Sequence, residues 1–537
     1  MRCILFLSLF LFSGLINFAQ EQCPLIPKPL EAVKTNEGFV LNKYTGLIVD
    51  VPELKDAGTY LQQQLLRLKQ LPVGRASSSK NTIRLSIKKT SKADESYELI
   101  IAKEGITVTG NSLAGVTNGV SSLLQLIVLQ KTENGDLHLS GWKIKDAPAY
   151  GWRGFMLDES RHFMGKEKVK QLLDWMALYK LNRFHWHLTD EPGWRIEIKR
   201  YPKLALLGGL GNYTNPTAAA AYYTQEDIEE LVHYAALRNI TVIPEIDMPG
   251  HATAANRAYP QYSGGGNTQH PDFTFDPGNE RTYGYLTNIL REVNVLFPSG
   301  MLHLGGDEVS FGTDKWLQNE GIKKLMQQHA IKDLKGVEHY FMERMADSVF
   351  SMHARLLAWD EMADLNLPKD KTIIFWWRHD KPGQLKMALD KGYRTVICPR
   401  LPYYFDFVQD SAHRMGRKWG KGFASLPDVY NYKVTTVVTD KRQQAQVLGI
   451  QANLWTETVT NLNRMDYMVF PRIAALAEAA WTKNELKNYD AFTVRLKEQL
   501  PLYRADDIYF YNPFNPAEIP EPVFFRKDTR NLSAQEN

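Results

Sequence analysis

The sequence predicts an α/β protein, a (β/α)8 TIM barrel preceded by a small α+β domain. Three observations carry this. From about Pro148 onward, strand-like apolar runs alternate with helix-periodic stretches, making eight units over roughly 330 residues. Upstream, from about Phe39 to Gly141, short strands and two helical stretches mix without that alternation. In the later part, the reactive side chains collect at the carboxyl ends of the strands, where a barrel keeps its active site. A doubly wound open sheet is the runner-up, and it lacks a Gly-rich phosphate loop at the first βα turn. The implied segments are a signal peptide at 1–19, the small domain at 24–146, the barrel at 147–485, and a helical extension with a polar tail at 486–537.

Composition narrows the function classes. A chain of 537 residues exceeds one ordinary core, and 44% hydrophobic with 23% charged residues is a soluble globular balance. The 64 basic and 60 acidic residues leave a net charge of only +4, and no basic block or stripe stands out, which argues against a nucleic-acid partner. Residues 1–19 join one arginine, an apolar run and Ala19, the pattern of a secretory signal; an uncleaved anchor is the alternative, although the run is short for a span. No later stretch is apolar enough for stable membrane insertion. Export to a periplasm or out of the cell is therefore expected. Cleavage would leave Cys23 and Cys398, one bridge at most, and the Ala-Gln-Glu-Gln before Cys23 is a poor lipid-attachment signal.

In chain order, Cys23-Pro-Leu-Ile-Pro-Lys-Pro is an extended lead-in. Tyr97–Ala102 and Ile106–Thr109 flank Glu104-Gly105 as a hairpin, and Asn111 to Gln130 has helical spacing. The barrel strands are expected at Trp152–Asp158, Arg183–Asp190, Thr241–Asp247, Met301–Glu308, Arg355–Trp359, Thr372–Trp377, Arg394–Cys398 and Leu448–Trp455. Helices are expected at Gly165–Tyr179, at Thr224–Arg238 with acids in its first turn, from about Arg281, near Asp333–His353, and as one closing helix over Tyr467–Ala480. The tail Lys527–Asn537 is polar.

The strand ends carry Asp158 and Arg161, Asp190, Asp247 and His251, Asp307 and Glu308, Asp360 and Glu361, Trp377, and Trp455 and Glu457. If the fourth strand persisted through Asp307 and Glu308, the two would project to opposite faces and meet different surroundings. One could then stay ionised while an apolar wall kept the other protonated. An acid-rich pocket suits metal binding or sugar chemistry. His185 and His187 share a strand face, but a lone His-x-His is weak evidence for a metal. Trp359, Trp377 and Trp455 would stand as flat walls for sugar rings, which favours glycoside hydrolysis.

With those residues in view, the sequence resembles family 20 glycoside hydrolases, the β-N-acetylhexosaminidases. The resemblance rests on Leu157-Asp-Glu-Ser-Arg-His162, His185-Trp-His-Leu-Thr-Asp190, Asp247-Met-Pro-Gly-His251, His303-Leu-Gly-Gly-Asp-Glu308 and Phe470-Pro-Arg-Ile-Ala-Ala-Leu-Ala-Glu478. It covers the small domain and the whole barrel. Glu191-Pro192 departs from it, where many members carry Asp or Asn and then Gln. The resemblance implies substrate-assisted catalysis. Glu308 would be the general acid and base, and Asp307 would hold the N–H of the sugar's 2-acetamido group, whose oxygen attacks. Tyr404 would donate to that oxygen, with neighbouring Tyr403 as its rival. Trp359, Trp377 and Trp455 would close around the sugar, Trp376 competing with Trp377. Arg161, Glu457 and Asp406 would bind hydroxyls, and Asp190 and His251 would form a relay behind Glu308. Glu245 reads as a buried structural acid. The implied partner is a terminal β-linked N-acetylhexosamine, GlcNAc or GalNAc, with no metal and no organic cofactor. Release of a disaccharide such as lacto-N-biose, or glycan binding without catalysis, are the alternatives.

Overall fold

The computed structural model describes residues 23–76, 80–88, 94–418 and 422–523. The proposed signal peptide and the tail from Lys527 lie outside the described residues. The N-terminal part builds a mixed sheet in the order Glu31–Leu41, Asp136–Asp146, Tyr97–Ala102, Gly105–Gly110, Thr82–Ile87, Gly46–Val49, Gly74–Arg75. The expected hairpin is there, Tyr97–Ala102 pairing antiparallel with Gly105–Gly110. Helix Leu113–Val128 starts where the Ser112 hydroxyl accepts the Gly115 N–H at 3.2 Å. It lies so close on the sheet that a Cβ at Gly119 would sit 2.5 Å from Val108 Cγ1.

The second part closes into a parallel barrel of eight strands. These are β1 (Trp152–Asp158), β2 (Arg183–His187), β3 (Thr241–Glu245), β4 (Met301–His303), β5 (Arg355–Trp359), β6 (Thr372–Trp376), β7 (Arg394–Ile397) and β8 (Val447–Leu454), with β8 pairing back onto β1. The strands are buried along most of their length, which is why they read as nearly continuous apolar runs. Helices Lys166–Leu178, Gln225–Ala236, Glu280–Leu296, Leu334–Ser351 and Pro382–Asp390 follow five of the strands. After β5 the connection holds only a 3-10 turn, Asp360–Asp364.

Two expectations are corrected. The closing helix is two helices, Leu462–Val469 and Arg472–Trp481. Pro471 forces Phe470 into an extended conformation (φ −100°, ψ 135°), which breaks the helical run. The strand expected to run through Asp307 and Glu308 stops at His303. A last helix, Tyr489–Ala505, packs back toward the small domain, where Arg495 donates to Leu25 O at 2.7 Å. Asp146 locks the two parts together by accepting from Trp481 Nε1 at 3.0 Å and from Lys180 Nζ at 3.3 Å. Cys23 and Cys398 are both free thiols. Among the described residues no helix is long and apolar enough to cross a membrane.

Candidate active site

Strand register places the site. Asp158, His187, Glu245 and His303 are partners across β1 to β4, one residue per strand at the carboxyl ends. Glu245 is fully buried at the centre of this layer. Its Oε2 lies 2.7 Å from His187 Nδ1 and 2.9 Å from His185 Nε2. Its Oε1 lies 3.0 Å from His303 Nδ1 and accepts the Trp359 indole N–H at 2.9 Å. Burial alone would raise its pKa, yet the three histidines hold it well below the carboxylate range. Glu245 is thus a structural acid under the pocket floor.

Above this floor the chain turns sharply. Gly305 and Gly306 have φ of +66° and +87°, and a Cβ at Gly305 would lie 1.8 Å from Asp247 Oδ1. Only glycine fits there. The turn brings both carboxylates toward one histidine instead of sending them to opposite faces. His251 Nε2 is 3.7 Å from Asp307 Oδ2 and 3.6 Å from Glu308 Oε2. Its Nδ1 is 3.0 Å from Asp190 Oδ1, which lines up Asp190, His251 and Glu308 in the order the expected relay requires. Glu308 and His251 both sit in the left-handed region, at φ 53° and 52°. For side-chain-bearing residues that conformation costs about 1–2 kcal/mol each and is a mark of functional sites.

The walls come from later strands. Trp377 stacks parallel to Tyr404 (6.2 Å between ring centres, 12°), and Trp455 lies 6.1 Å from Tyr404 and 6.0 Å from Trp359. Tyr403 and Trp376 point away into the main core, whereas Tyr404 and Trp377 pack in the separate cluster that includes Trp359 and Trp455. The loop bearing Tyr404 and Asp406 is pinned from outside by fully buried Arg472, which donates to Phe405 O at 2.6 Å, Phe407 O at 2.9 Å and Ala424 O at 2.8 Å. On the opposite wall, Arg195 donates to Glu159 O at 3.1 Å and Ser160 O at 2.8 Å, fixing the loop that carries Arg161. Asp158 serves the same loop and accepts the N–H groups of Ser160, Arg161 and Thr456 at 2.8, 3.1 and 3.0 Å.

Charge divides the pocket. Arg161 Nη1 lies 2.6 Å from Asp190 Oδ2, its Nε lies 3.8 Å from Glu457 Oε1, and its guanidinium covers the Trp455 ring at 5.1 Å. Burial opposes ionisation of Asp190, but Arg161 and His251 hold it well below the usual range. Burial likewise disfavours charge on His251, and Asp190 overrides it and holds the imidazole protonated. Asp307 is pushed up to about 7 by burial and by the charges of Glu308 and Glu361, with His251 opposing. Glu308 is also raised, by burial and by Glu361, although a third of its side chain meets solvent. Burial keeps Tyr404 a neutral phenol far above the ordinary tyrosine value. Several buried polar atoms in this pocket have no hydrogen-bond partner: Asp307 Oδ1, Asp406 Oδ1, Glu457 Oε2, His251 Nε2 and Trp455 Nε1. His251, Asp307 and Glu308 present ligand atoms close enough for a metal ion, and Asp190, Asp247 and His251 do the same. His251 is common to both groups and is also the residue that lies between Asp190 and Glu308.

All eleven residues singled out by sequence converge on this pocket. Two partners were missed. Arg417 bridges Asp406 Oδ2 and Glu457 Oε1, 2.8 Å from each. Arg378 lies 2.6 Å from Asp360 Oδ1 and 3.2 Å from Glu361 Oε1, while Glu361 accepts the Trp377 indole N–H at 3.1 Å. Arg417 stands in a loop with no periodic pattern to flag it. Arg378 was visible beside Trp377, and acids at the end of the preceding strand were the available signal.

The carboxyl end of the closed parallel barrel thus joins a carboxylate pair, a charged histidine and an aromatic box, the kind of site that suits sugar chemistry. Comparison with known proteins makes the class particular. The family model described as glycosyl hydrolase family 20, catalytic domain, matches residues 150–484, and the model of that family's domain 2 matches residues 22–147. The chain belongs to glycosyl hydrolase family 20. It is 34% identical over 491 residues to a beta-hexosaminidase of Porphyromonas gingivalis, a match covering 88% of this chain. The chain spans 62% of that relative's length. It is 33% identical to a beta-hexosaminidase of Vibrio furnissii, over 84% of this chain and 76% of the relative. The solved exo beta-N-acetylglucosaminidase of Vibrio harveyi, in complex with N-acetylglucosamine, superposes with a TM-score of 0.85 at 32% identity, over 92% of this chain and 79% of that one.

Proposed function

We propose that this chain is an exo-acting, retaining β-N-acetylhexosaminidase that removes one terminal β-linked GlcNAc or GalNAc at a time. The observation that carries the reading is the set of buried, unpartnered polar atoms inside an aromatic box, with Asp307 Oδ1 beside a protonatable Glu308. A sugar seated there would satisfy those atoms and cover the tryptophans. Its acetamido N–H would donate to Asp307, and the neutral Tyr404 hydroxyl would donate to the acetamido oxygen. That oxygen attacks C1 and forms a new C–O bond, while the glycosidic bond breaks and its oxygen takes the proton of Glu308. The resulting oxazolinium ion carries positive charge near nitrogen, which ionised Asp307 offsets. Water then adds at C1, Glu308 takes its proton, and the ring opens with the β configuration restored. Two displacements at one carbon account for retention. Asp190 keeps His251 charged behind Glu308, and Arg161, Glu457, Asp406 and Arg417 close the far end against a longer chain. That closure favours release of a monosaccharide over a disaccharide. The proposal includes export, on the strength of the apolar N-terminal run.

A substrate panel tests this. Aryl N-acetylglucosaminide and aryl N-acetylgalactosaminide should release phenol, the plain aryl glucoside should not, and the sugar first released should be the β anomer by NMR. Equal cleavage of the plain glucoside, an inverted product, or preference for the aryl lacto-N-bioside would overturn it.

A further inference from the structure

Residues 506–523 follow the last helix and return to the loop that carries Arg417, where they are fastened at two points. Tyr511 Oη donates to Asp410 Oδ2 at 3.0 Å, and Asp410 Oδ1 accepts the Ala412 N–H at 2.8 Å. Further on, Glu521 accepts the Arg414 N–H at 2.7 Å and the Met415 N–H at 2.9 Å. Arg464, from the helix Leu462–Val469 that follows β8, completes the clasp. Its Nη1 lies 2.8 Å from Glu521 Oε1, and its Nη2 donates to Met415 O. Arg464 is buried, and only 11% of the Glu521 side chain is exposed. Burial opposes charge on Glu521, but the two N–H groups and Arg464 outweigh it and keep the carboxyl below its ordinary value. Tyr509 Oη donates to Pro520 O at 2.7 Å, which closes the segment on itself.

The clasp ends where the pocket begins. Gly416 turns the chain between them at φ +114°, and a Cβ there would lie 2.8 Å from Val408 Cγ1. Arg417 N then donates to Asp406 O at 3.1 Å, and Val408 N donates to Arg417 O at 3.2 Å, so the two backbones run side by side. The Arg417 guanidinium takes one oxygen of each acid, Asp406 Oδ2 and Glu457 Oε1, at 2.8 Å. The other oxygen of each, Asp406 Oδ1 and Glu457 Oε2, is buried without a partner. What holds the first oxygen of a carboxylate sets where the second one points.

We propose that Glu521 is a positioning residue for the sugar-binding end of the pocket: it fixes the 410–417 loop so that Arg417 aims the free oxygens of Asp406 and Glu457. The proposal rests on the reading of those two acids as ligands for hydroxyls of the terminal sugar. Those hydroxyls are remote from the bond that breaks and are the same in substrate and transition state. Misaimed acids therefore weaken the binding of both alike, which raises KM and spares kcat.

The test is a double-mutant cycle in the intact protein, read as KM and kcat on aryl N-acetylglucosaminide. In Glu521→Ala, KM should rise about 3- to 10-fold, the worth of one hydrogen bond to the sugar, with kcat held within about twofold. A variant that merely folds poorly shows the reverse, a lower apparent kcat at unchanged KM. Glu521→Gln keeps one acceptor oxygen and should raise KM by less. Arg417→Met should raise KM by itself, and adding Glu521→Ala to it should raise KM no further. An unchanged KM in Glu521→Ala, or the full extra rise in the Arg417→Met background, overturns the positioning role. Wild-type protein inactive on both aryl N-acetylglucosaminide and aryl N-acetylgalactosaminide overturns instead the reading of the pocket, and the positioning role falls with it.

Discussion

Two buried acid clusters sit a few residues apart at the same end of one barrel, and they are provided for in opposite ways. In the floor, both oxygens of Glu245 are occupied, and three histidines stabilise its charge enough to overcome burial. In the mouth, Asp307 keeps an oxygen without a partner, Glu308 faces solvent on one side, and both are pushed toward protonation. His251 is close to both but engaged first by Asp190. Burial and proximity to histidine are common to the two clusters, so neither marks the site. What separates them is whether the protein completes the hydrogen bonding itself or leaves it for a ligand to complete.

The most severe way to break this contrast is Glu308→Gln, which keeps shape and removes the proton that can be given away. On a natural disaccharide, kcat/KM should fall on the order of 10²–10⁴-fold, the range of general acid–base catalysis. Activated aryl glycosides should suffer less in the first step, because their leaving oxygen needs no proton. Wild-type turnover of the disaccharide by the variant would remove Glu308 from the chemistry.

Stability should respond with opposite signs in the two clusters. Unfolded aspartate titrates near about 3.9, whereas folded Asp307 titrates near about 7. The folded state therefore takes up a proton between those values. The stability Asp307 contributes is present below its unfolded value and lost as pH rises through about 7. Asp307→Asn should accordingly make the protein more stable at pH 8, by about 1–3 kcal/mol, while slowing it as an enzyme. Glu245, held low, contributes stability above the unfolded glutamate value of about 4.3, lost as pH falls through its folded value. Glu245→Gln should lower stability by about 3 kcal/mol or more at pH 8, because it strands charged histidine beneath the pocket. Denaturant titrations of both variants at that pH check the pair, and shifts of the same sign would dissolve the distinction between floor and mouth.

How far the sequence could see follows from the same physics. Strand periodicity and the placement of acids were enough for the barrel, since eight apolar runs with reactive residues at one end admit few other folds. The family resemblance supplied the names of the pocket residues. It did not supply the turn after β4. Asp307 and Glu308 read as a continuing strand, and the positive φ of Gly305, Gly306 and Glu308 that brings both acids to His251 is a tertiary outcome. Pro471 is legible as a helix breaker, yet the apolar spacing runs on through it and reads as one helix. Arg417 could not be found from sequence, because a loop arginine shows no pattern until Asp406 and Glu457 are seen to converge on it.

The finest test of the contrast uses a residue that touches neither the relay nor the floor. Glu361 adds negative charge near both mouth carboxylates and raises both. It is also tied to Arg378 and accepts the Trp377 N–H. Glu361→Gln leaves an acceptor for Trp377 and deletes the charge, and Arg378, still held by Asp360, then acts on the mouth without its counter-ion. Both changes favour ionised Asp307 and ionised Glu308. The proposed mechanism needs Asp307 ionised and Glu308 protonated, so under it the acid limb of the kcat/KM profile follows Asp307 and the basic limb follows Glu308. The whole bell should slide toward lower pH by about half a unit to one unit, with little loss at its new optimum. Because the pair titrates together, the limbs should move in the same direction. A basic limb that stays in place or moves to higher pH would mean that Glu361 acts through the position of Trp377 and not through its charge.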